Sequence, residues 1–573
     1  MTNHATLERP ALQPSKAAQA GPDPVTLEVV RNKLEGIANE MESTLLRSSF
    51  SPIVKEGLDA SASLFTTAGE SLAQACAVPI HLATLIPIVE TILREYPLDT
   101  MRDGDIYIMN DPYLGGTHLP DIALVAPVFV DGRVIALSAT MTHHQDVGGM
   151  TPGSIPTNAT EIYQEGIRIP PLKLFEAGEI NQMLVSLLRL NVRIPDTFMG
   201  DINAQIAACR IGARRLVELT SVYDVALLET VFAALLAHSE ALTRAQLDTI
   251  PAGVYRYADW LDNDGIDLDQ RVRIEVAVTV GNGAMHVDFT GTSPQLRGPF
   301  NCVRSGSQAA AYFAVRALTD PEIPTNAGCF RPVSLHLPKG TLVNPEEPAP
   351  VGSRTATIKR ITGCILGAFK EALPDKVPAD SAGVLLALAF GGKQADGKSY
   401  VVGELITGGS GASRHCDGVD VVETDASNCM NLPVEALELE APIRVNRLEL
   451  RADSGGAGTF RGGLGLVKEF ELLGGSAIFT HRGERHYCPA QGSAGGGSGA
   501  CEHSVIVRAS GEVEEIPSKL VADLRKGDRV IVQTPGGGGY GEPAKRDPQA
   551  VQADIADGKL SPAQAKVLYG FAG

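Results

Sequence analysis

The chain has 573 residues, of which 49 are Lys or Arg and 67 are Asp or Glu, so its formal net charge is −18. Because it is acidic and has no run of basic residues, its composition argues against a protein that binds nucleic acid. Hydrophobic residues make up 44% and charged residues 20% of the chain, which is typical of a packed globular protein rather than a disordered one.

Two further features of the sequence indicate where the protein works. No uninterrupted apolar run approaches the roughly 18 residues of a membrane span, and the N-terminus lacks the apolar stretch of a secretory signal. The nine cysteines include no Cys-x-x-Cys pair, which argues against a disulfide framework or a cysteine-rich zinc module. We therefore predict a cytoplasmic protein without a membrane anchor.

The first half of the chain has the pattern of an α+β region. Residues 1–24 are predicted to be a disordered tail, and Asp23 can cap a helix that begins at Pro24. Apolar residues then recur at spacings of three and four and form one stripe along that helix (Leu27, Val30, Leu34, Ile37, Met41 and Leu45). Within residues 25–250, β-like runs lie between positions 61 and 143, and helical periodicity returns over residues 180–249.

The second half is richer in β-strand patterns and glycine. Residues 251–350 are predicted as a β-rich middle region with a hairpin at residues 281–283, where the sequence is Gly-Asn-Gly. Residues 351–542 are predicted as a Gly-rich α+β region, in which the loop 535–541 passes close to other backbone. Residues 543–573 are predicted as a helical tail. The fold class is therefore α+β, a multi-layer mixed α/β chain whose C-terminal half is rich in strands and glycine.

The densest set of side chains that can ligate a metal lies between residues 110 and 165. His118 and Asp121 are three residues apart in a loop rich in Gly and Pro, so both can reach one ion. His143 and His144 end a predicted strand, where successive side chains point to opposite faces, so only one of them can easily join that site. Two imidazoles and one or two carboxylates suit Zn, Mn or Fe with a position left for water. Isolated His and Asp residues in loops mostly cap turns or face solvent, so the spacing alone does not establish a metal site.

Two other segments match ligand-binding patterns in the wrong context. Residues 392–399 fit the phosphate-binding pattern G-x-x-x-x-G-K-[ST], but β-like residues follow where that motif needs a helix, so we predict a hairpin. The acidic stretch 259–269 resembles a calcium loop. With Gly265 at the sixth position, however, the loop would begin at Trp260 and end at Arg271, where acidic ligands are needed. Neither segment therefore predicts a nucleotide or calcium site.

The block around these histidines closely resembles the hydantoinase B/oxoprolinase family, the B-type subunits of ATP-dependent lactam and hydantoin hydrolases. The matching segments are NDPYLGGTHLPDI (110–122), THHQDVGG (142–149), EGIRIPPLKL (165–174) and PGGGGYGEP (535–543). The resemblance runs from about Pro24 to the C-terminus. It implies an A-type partner of actin-like ATPase fold, which binds ATP and phosphorylates the cyclic amide, in a hetero-oligomer with this chain.

The resemblance also implies roles for individual residues. The metal ligands that it implies are Asp59, His118, Asp121 and His143. In the segment around Asp59, Ala60 stands where the family's early motif has an aromatic residue. The candidates for proton transfer or for orienting the ligands are His144, Asp146 and Glu165. Local hydrogen bonding within their loop explains these last three equally well.

The function implied is metal-dependent opening of a hydantoin, 5-oxoproline or a related lactam, completed by this chain after the partner has used ATP. One alternative is the alpha-type subunit of an ATP-dependent carboxylase for acetone or acetophenone, although the acetone carboxylase counterpart is usually a longer chain. A second alternative is a non-catalytic scaffold for the A-type subunit. The presence of all four implied ligands argues against the scaffold.

Overall fold

The computed structural model describes residues 22–571, which form eleven α-helices and twenty β-strands. The helices are α1 (Pro24–Ser48), α2 (Pro52–Lys55), α3 (Pro79–Glu95), α4 (Gln182–Asn191), α5 (Pro195–Thr220), α6 (Val225–Leu247), α7 (Arg304–Leu318), α8 (Arg354–Gly367), α9 (Val434–Glu440), α10 (Pro548–Ala556) and α11 (Pro562–Tyr569). The strands are β1 (Ala60–Phe65), β2 (Ser71–Gln74), β3 (Ile106–Met109), β4 (Asp121–Val130), β5 (Arg133–His143), β6 (Leu172–Glu176), β7 (Glu179–Ile180), β8 (Gly253–Leu261), β9 (Val272–Gly281), β10 (Ala284–Asp288), β11 (Val333–His336), β12 (Leu385–Lys393), β13 (Ser399–Thr407), β14 (Ile443–Leu450), β15 (Leu466–Leu472), β16 (Ser476–Arg482), β17 (His503–Val507), β18 (Val513–Glu515), β19 (Lys519–Arg525) and β20 (Arg529–Gln533). This mixture confirms the predicted α+β class.

The predicted opening helix is confirmed. α1 begins at Pro24, and the Asp23 carboxylate accepts a hydrogen bond from the Thr26 backbone N–H at 2.9 Å. Its apolar stripe is buried from Val30 to Leu45 and packs against α5. Only the last three residues of the predicted tail 1–24 lie in the described part of the chain, so the disorder of that tail stays a prediction.

The first sheet has seven antiparallel strands in the order β2-β1-β5-β4-β3-β6-β7. Helices cover both of its faces. Since successive residues of a strand point to opposite sides, neighbouring residues of β4 pack against different helices. Leu124 of β4 packs with Ile202 of α5 in one core cluster. The next residue, Val125, packs with Ile88 of α3 in another. This sheet is therefore the middle layer of three, and it carries the candidate site at one end.

A second sheet has the order β11-β10-β9-β8 and packs against α8. Its β9–β10 hairpin turns at Asn282 and Gly283, whose φ angles are 53° and 64°. These left-handed conformations are the ones that a two-residue type I′ turn requires. The hairpin predicted from the Gly-Asn-Gly sequence is therefore confirmed.

The two C-terminal sheets, β13-β12-β16-β19 and β14-β15-β20-β17-β18, pack face to face. The Phe390 ring of β12 lies 5.4 Å from the Phe470 ring of β15 and 5.0 Å from the Phe479 ring of β16. β12 and β13 form an antiparallel hairpin with Lys393 opposite Ser399. Residues 392–399 are thus the tip of a hairpin, as predicted, and no helix follows them to bind phosphates.

The glycine-rich loop 535–541 lies against other backbone, as predicted. A Cβ atom on Gly537 would lie 1.9 Å from the Ser410 carbonyl oxygen. The Gly537 N–H donates to the Gly463 carbonyl at 2.9 Å, and the Gly538 N–H donates to the Asp380 carbonyl at 2.8 Å. Only glycine allows this approach of one backbone to another.

The largest hydrophobic core cluster contains residues between Val30 and Cys429 and so crosses the boundaries predicted near 250 and 350. Residues 251–350 hold α7 as well as four strands. The domain boundaries stay a prediction. All nine cysteines lie in the described part of the chain, and none is in a disulfide.

Among the described residues, α6 alone is long and apolar enough to cross a membrane, with a mean hydropathy of 1.5 over 18 residues. The sequence prediction rested on uninterrupted apolar runs and did not single out this segment. Val231 and Leu235 of α6 are buried and pack into the largest core cluster. A helix that forms part of a protein core needs the same apolar composition, and this packing accounts for it.

Candidate active site

Three neighbouring strands of the first sheet bring the predicted metal ligands to one place. Asp121 begins β4 and lies directly opposite His143, which ends β5. Asp59 immediately precedes β1, where Ala60 pairs with Thr142 of β5. The His143 backbone N–H donates to the Asp59 carbonyl at 3.1 Å. The register of three antiparallel strands therefore brings distant parts of the sequence to the same end of the sheet.

His118, Asp121 and His143 form a group whose ligand atoms all lie within 4.8 Å of one another. His118 Nε2 lies 3.1 Å from Asp121 Oδ1, and the two histidine rings are 5.0 Å apart. His118 and Asp121 are completely buried. The structure thus brings together three of the four ligands that the resemblance implies.

Asp59, the fourth implied ligand, lies outside that group, and His81 of α3 stands between them. His81 Nε2 is 3.4 Å from Asp59 Oδ1 and also 3.4 Å from Asp121 Oδ1. Burial alone would lower the pKa of His81, but the carboxylates of Asp121 and Asp59 outweigh it and raise that pKa. His81 could not be predicted from the sequence, because a single histidine in an apolar helix is not part of any recognisable motif.

The protonation states in this group leave a position that suits a cation. His118 Nδ1 lies 2.9 Å from the Gly352 carbonyl oxygen, so Nδ1 carries the proton and donates it. Burial, together with the nearby Arg354 cation, lowers the pKa of His118 to about 4, so the ring is neutral. Its unprotonated Nε2 therefore faces a carboxylate oxygen of Asp121.

Asp121 is ionised in this arrangement. Burial raises its pKa, but the Arg354 cation and the neighbouring histidines outweigh that effect and hold the pKa well below its usual range. Two electron-pair acceptors, His118 Nε2 and Asp121 Oδ1, then face each other at 3.1 Å. His143 is half-buried, and its buried Nδ1 has no hydrogen-bond partner among residues 22–571. This donor set fits a divalent transition-metal ion.

Other side chains fix the orientation of this group. Arg354, at the start of α8, pairs with Asp121 Oδ2, and the Thr117 hydroxyl donates to the same oxygen at 2.6 Å. Glu165 accepts hydrogen bonds from the Val351 and Gly352 backbone N–H groups at 3.0 and 2.7 Å. The carbonyl of the same Gly352 lies 2.9 Å from His118 Nδ1, so Glu165 positions that histidine through the Gly352 backbone. Burial raises the pKa of Glu165 to about 8.

The structure places His144 and Asp146 away from this group. The His144 ring packs 4.7 Å from the Phe198 ring, and its Nε2 lies 3.1 Å from both Thr142 Oγ1 and Gln205 Oε1. Only His143 of the adjacent pair joins the site, as strand alternation predicts. Asp146 accepts hydrogen bonds from the Arg193 side chain and backbone at 2.9 Å. The contacts of His144 with Phe198 and Gln205, and of Asp146 with Arg193, hold both residues away from the metal group.

The group opens into a cavity with mostly apolar walls. Asp59, His81, His118 and His143 line one side of it. The apolar lining comes chiefly from Ile53, Val78, Ile80, Ile155, Leu385 and Leu405. A mostly apolar lining with a few convergent polar groups is typical of a small-molecule site.

Arg482 of β16 also lines the cavity and was not singled out by the sequence. It is 4% exposed, its Nε has no partner among the described residues, and its Nη2 makes one long contact of 3.5 Å with the Leu385 carbonyl. Burial, and then repulsion from Arg354, lower its pKa to about 9. A cation with spare donors in an apolar cavity can bind a negatively charged oxygen of a ligand.

A family model described as Hydantoinase B/oxoprolinase matches residues 23–543 of this chain. The chain belongs to the hydantoinase B/oxoprolinase family. The resemblance inferred from the motifs at residues 110–174 is thereby confirmed, and it extends over both halves of the fold.

Two relatives match this hydantoinase B/oxoprolinase chain over nearly its whole length. It is 33% identical over 563 residues to the B-type subunit of a putative D-/L-hydantoinase from Pseudomonas sp. strain NS671, covering 96% of this chain and 95% of that protein. It is 32% identical over 559 residues to the beta subunit of the caprolactamase from Pseudomonas jessenii, covering 96% of each.

Two solved structures share the fold. The ATP-dependent caprolactamase from Pseudomonas jessenii superposes with a TM-score of 0.88 at 31% identity, over 96% of each chain. Nucleotide-free acetone carboxylase superposes with a TM-score of 0.85 over 96% of this chain and 80% of that one. At 20% identity, the second likeness shows the fold alone.

Proposed function

We propose that this chain is the B-type component of an ATP-dependent cyclic amide hydrolase and opens a hydantoin, 5-oxoproline or a related lactam. The observation that carries the proposal is the group His118, Asp121 and His143 at the wall of an apolar cavity. The relatives named for a hydantoinase and for a caprolactamase support the reaction class. The acetone carboxylase likeness does not favour the carboxylase alternative, because it concerns the fold only.

We assign His118, Asp121 and His143 as the residues that hold a divalent Zn, Mn or Fe ion. When bound, such an ion lowers the pKa of a coordinated water and polarises a carbonyl group. The chain's own contribution is to keep His118 Nε2 and the Asp121 carboxylate unprotonated and fixed. The Gly352 carbonyl does this for His118, and Arg354 does it for Asp121.

We assign to His81 the role of donating a proton to the amide nitrogen of the substrate ring. Burial lowers its pKa, but the carboxylates of Asp121 and Asp59 outweigh that effect and favour its protonated form, and its Nε2 lies 3.4 Å from an oxygen of each. Its Nδ1 has no hydrogen-bond partner among the described residues, and the side chain lines the cavity. A proton held at Nδ1 can pass to the amide nitrogen as the C–N bond breaks. Asp59 then orients His81.

We assign Arg482 to the negatively charged oxygen that develops on the carbonyl carbon during attack. Such oxygens are stabilised most strongly by charged donors in sites from which water is excluded. Arg482 meets both conditions, because it is buried and its Nε is unpaired within residues 22–571.

We further propose that ATP is bound by an A-type partner in the cytoplasm. The segment with the phosphate-binding pattern, residues 392–399, is a hairpin tip here. Two relatives are named as subunits, which supports a hetero-oligomer. Nine unpaired cysteines suit a reducing compartment.

The test is to purify the chain together with an A-type ATPase subunit from the same organism and to measure ring opening and ATP consumption together. Caprolactam, hydantoin and 5-oxoproline form one arm, and acetone or acetophenone with bicarbonate form the other. We expect activity in the first arm, and we expect His118→Ala to abolish it and to remove one equivalent of metal per chain. His286→Ala, at an exposed histidine, is the matched control. Activity in the second arm only would overturn the proposal.

A further inference from the structure

A second cluster of metal-ligating side chains lies in the C-terminal half of the chain. His481 is on β16, His486 is in the loop that follows, and Glu502 immediately precedes β17. His481 is adjacent to Arg482, but strand alternation turns the two side chains to opposite faces of β16. Arg482 lines the candidate active-site cavity, whereas the His481 ring faces Phe479, which belongs to the core between the two C-terminal sheets. The two clusters are therefore separate.

The ligand atoms of these three residues all lie within 4.8 Å of one another. His481 Nε2 is 3.0 Å from Glu502 Oε1, and His486 Nδ1 is 3.3 Å from Glu502 Oε2. The side chains of His481 and Glu502 are completely buried, and that of His486 is 8% exposed. Each histidine thus directs one ring nitrogen at a different oxygen of the same carboxylate.

The hydrogen bonding of the cluster is incomplete. Neither ring nitrogen of His481 nor of His486 makes a hydrogen bond with any described residue, because the short approaches to Glu502 have the wrong angles. Glu502 itself accepts from the Glu484 backbone N–H at 3.2 Å and from the Ser504 hydroxyl at 3.1 Å. Buried polar atoms almost always have partners, so the two unpaired nitrogens that face one carboxylate, His481 Nε2 and His486 Nδ1, point to a ligand.

We propose that His481, His486 and Glu502 form a second metal site, suited to Zn²⁺. Two imidazoles and one carboxylate are a donor set that proteins use for zinc with a fourth position open. Asp262 holds the loop in place, because its carboxylate accepts from the backbone N–H groups of His486 and Tyr487 at 2.8 and 3.2 Å. These bonds supply the outer support that metal-binding histidine loops need.

The surroundings of the cluster provide a negative charge for the ion and access from solvent. The carboxylate of Glu484 pairs with Lys519, which leaves Glu502 as the anion available to the ion. A surface cavity lined by His486, Tyr487, Glu502 and Glu515 connects the cluster to solvent. His481 belongs to the four-stranded sheet and Glu502 adjoins the five-stranded one, so a bound ion links the two C-terminal sheets. The proposed site stands independently of the ring-opening reaction, because it shares no residue with the group His118, Asp121 and His143.

The experiment counts zinc in the purified full-length chain after chelation, reloading with excess zinc sulfate and desalting. We expect two equivalents in the wild-type chain and one in the double variant His118→Ala/His143→Ala, which lacks the first site. Adding His486→Ala to that double variant removes the remaining equivalent. Adding His503→Ala does not, because this neighbouring histidine lies outside the cluster. Glu502→Gln replaces His486→Ala if the latter variant does not fold.

A second measurement separates metal binding from folding. Zinc raises the melting temperature of the double variant His118→Ala/His143→Ala, because a ligand that binds only the folded chain stabilises it. The rise disappears when Glu502→Gln is added. The proposal is overturned if the double variant holds no zinc, or if its zinc persists when His486 or Glu502 is changed. Failure of the proposed function would instead appear as missing ring-opening activity with the zinc count unaffected.

Discussion

Thr117→Val tests whether the support of Asp121 controls metal binding. The Thr117 hydroxyl donates to Asp121 Oδ2 at 2.6 Å, and both residues are completely buried. Valine has nearly the same shape but cannot donate, so the carboxylate loses one of its two Oδ2 partners and keeps Arg354. A buried hydrogen bond to a charged group contributes about 1.5–3 kcal/mol. Because about 1.4 kcal/mol is a factor of ten, we expect metal affinity to fall about 10- to 100-fold.

The assay is the free zinc concentration that half-restores ring opening to the chelator-treated complex. Thr140→Val is the matched control, because Thr140 is also a buried threonine of the first sheet, and its hydroxyl lies 3.4 Å from Cys209 Sγ rather than near the metal group. Both variants should lose some stability, but only Thr117→Val should need more zinc. An equal zinc requirement in the two variants would refute the role given to this hydrogen bond.

Three further predictions concern Arg482, Glu165 and the glycines Gly537 and Gly36. Arg482→Met should lower kcat for ring opening by about 10²- to 10³-fold, the usual effect of losing an oxyanion donor, while zinc content stays unchanged; a loss of zinc instead would contradict it. Burial raises the pKa of Glu165 from 4.5 to about 8, so the folded chain holds a proton that the unfolded chain releases. The free energy of unfolding should therefore fall as the pH rises from about 4.5 to 8, and Glu165→Gln should flatten that dependence in denaturant titrations; an unchanged slope would contradict it. Gly537→Ala should prevent folding or lower the melting temperature sharply, because its Cβ would lie 1.9 Å from the Ser410 carbonyl oxygen. Gly36→Ala, in α1 with open space around the added Cβ, should stabilise the chain by about 0.5–1 kcal/mol, and equal effects of the two changes would contradict the packing argument.

Part of the metal group could be predicted from the sequence because its members belong to local patterns. His118 and Asp121 share one short loop, and alternation along β5 separates the roles of His143 and His144. The helix at Pro24 and the hairpin at residues 281–283 were predictable for the same reason, since capping residues and turn glycines act over a few positions. These features depend on spacing and not on tertiary packing.

The rest of the site depends on tertiary packing. His81 comes from α3, Arg354 from α8 and Arg482 from β16, and none of the three belongs to a recognisable short motif. Only packing of the first sheet against these elements brings them to one cavity. The second cluster has the same property, because Glu502 lies 16 positions beyond His486 and outside any spacing typical of a zinc motif.

The cavity is built from two sides that can vary separately. The metal group is fixed by the backbone register of β1, β5 and β4, so its geometry changes only if the sheet changes. Much of the opposite wall comes from the β12–β13 hairpin, where Leu385 and Leu405 line the cavity while Leu386 and Ile406 pack into the C-terminal core. Substitutions at the two cavity-facing positions can therefore reshape the space for the ring without changing the metal ligands, although both leucines also belong to the largest core cluster.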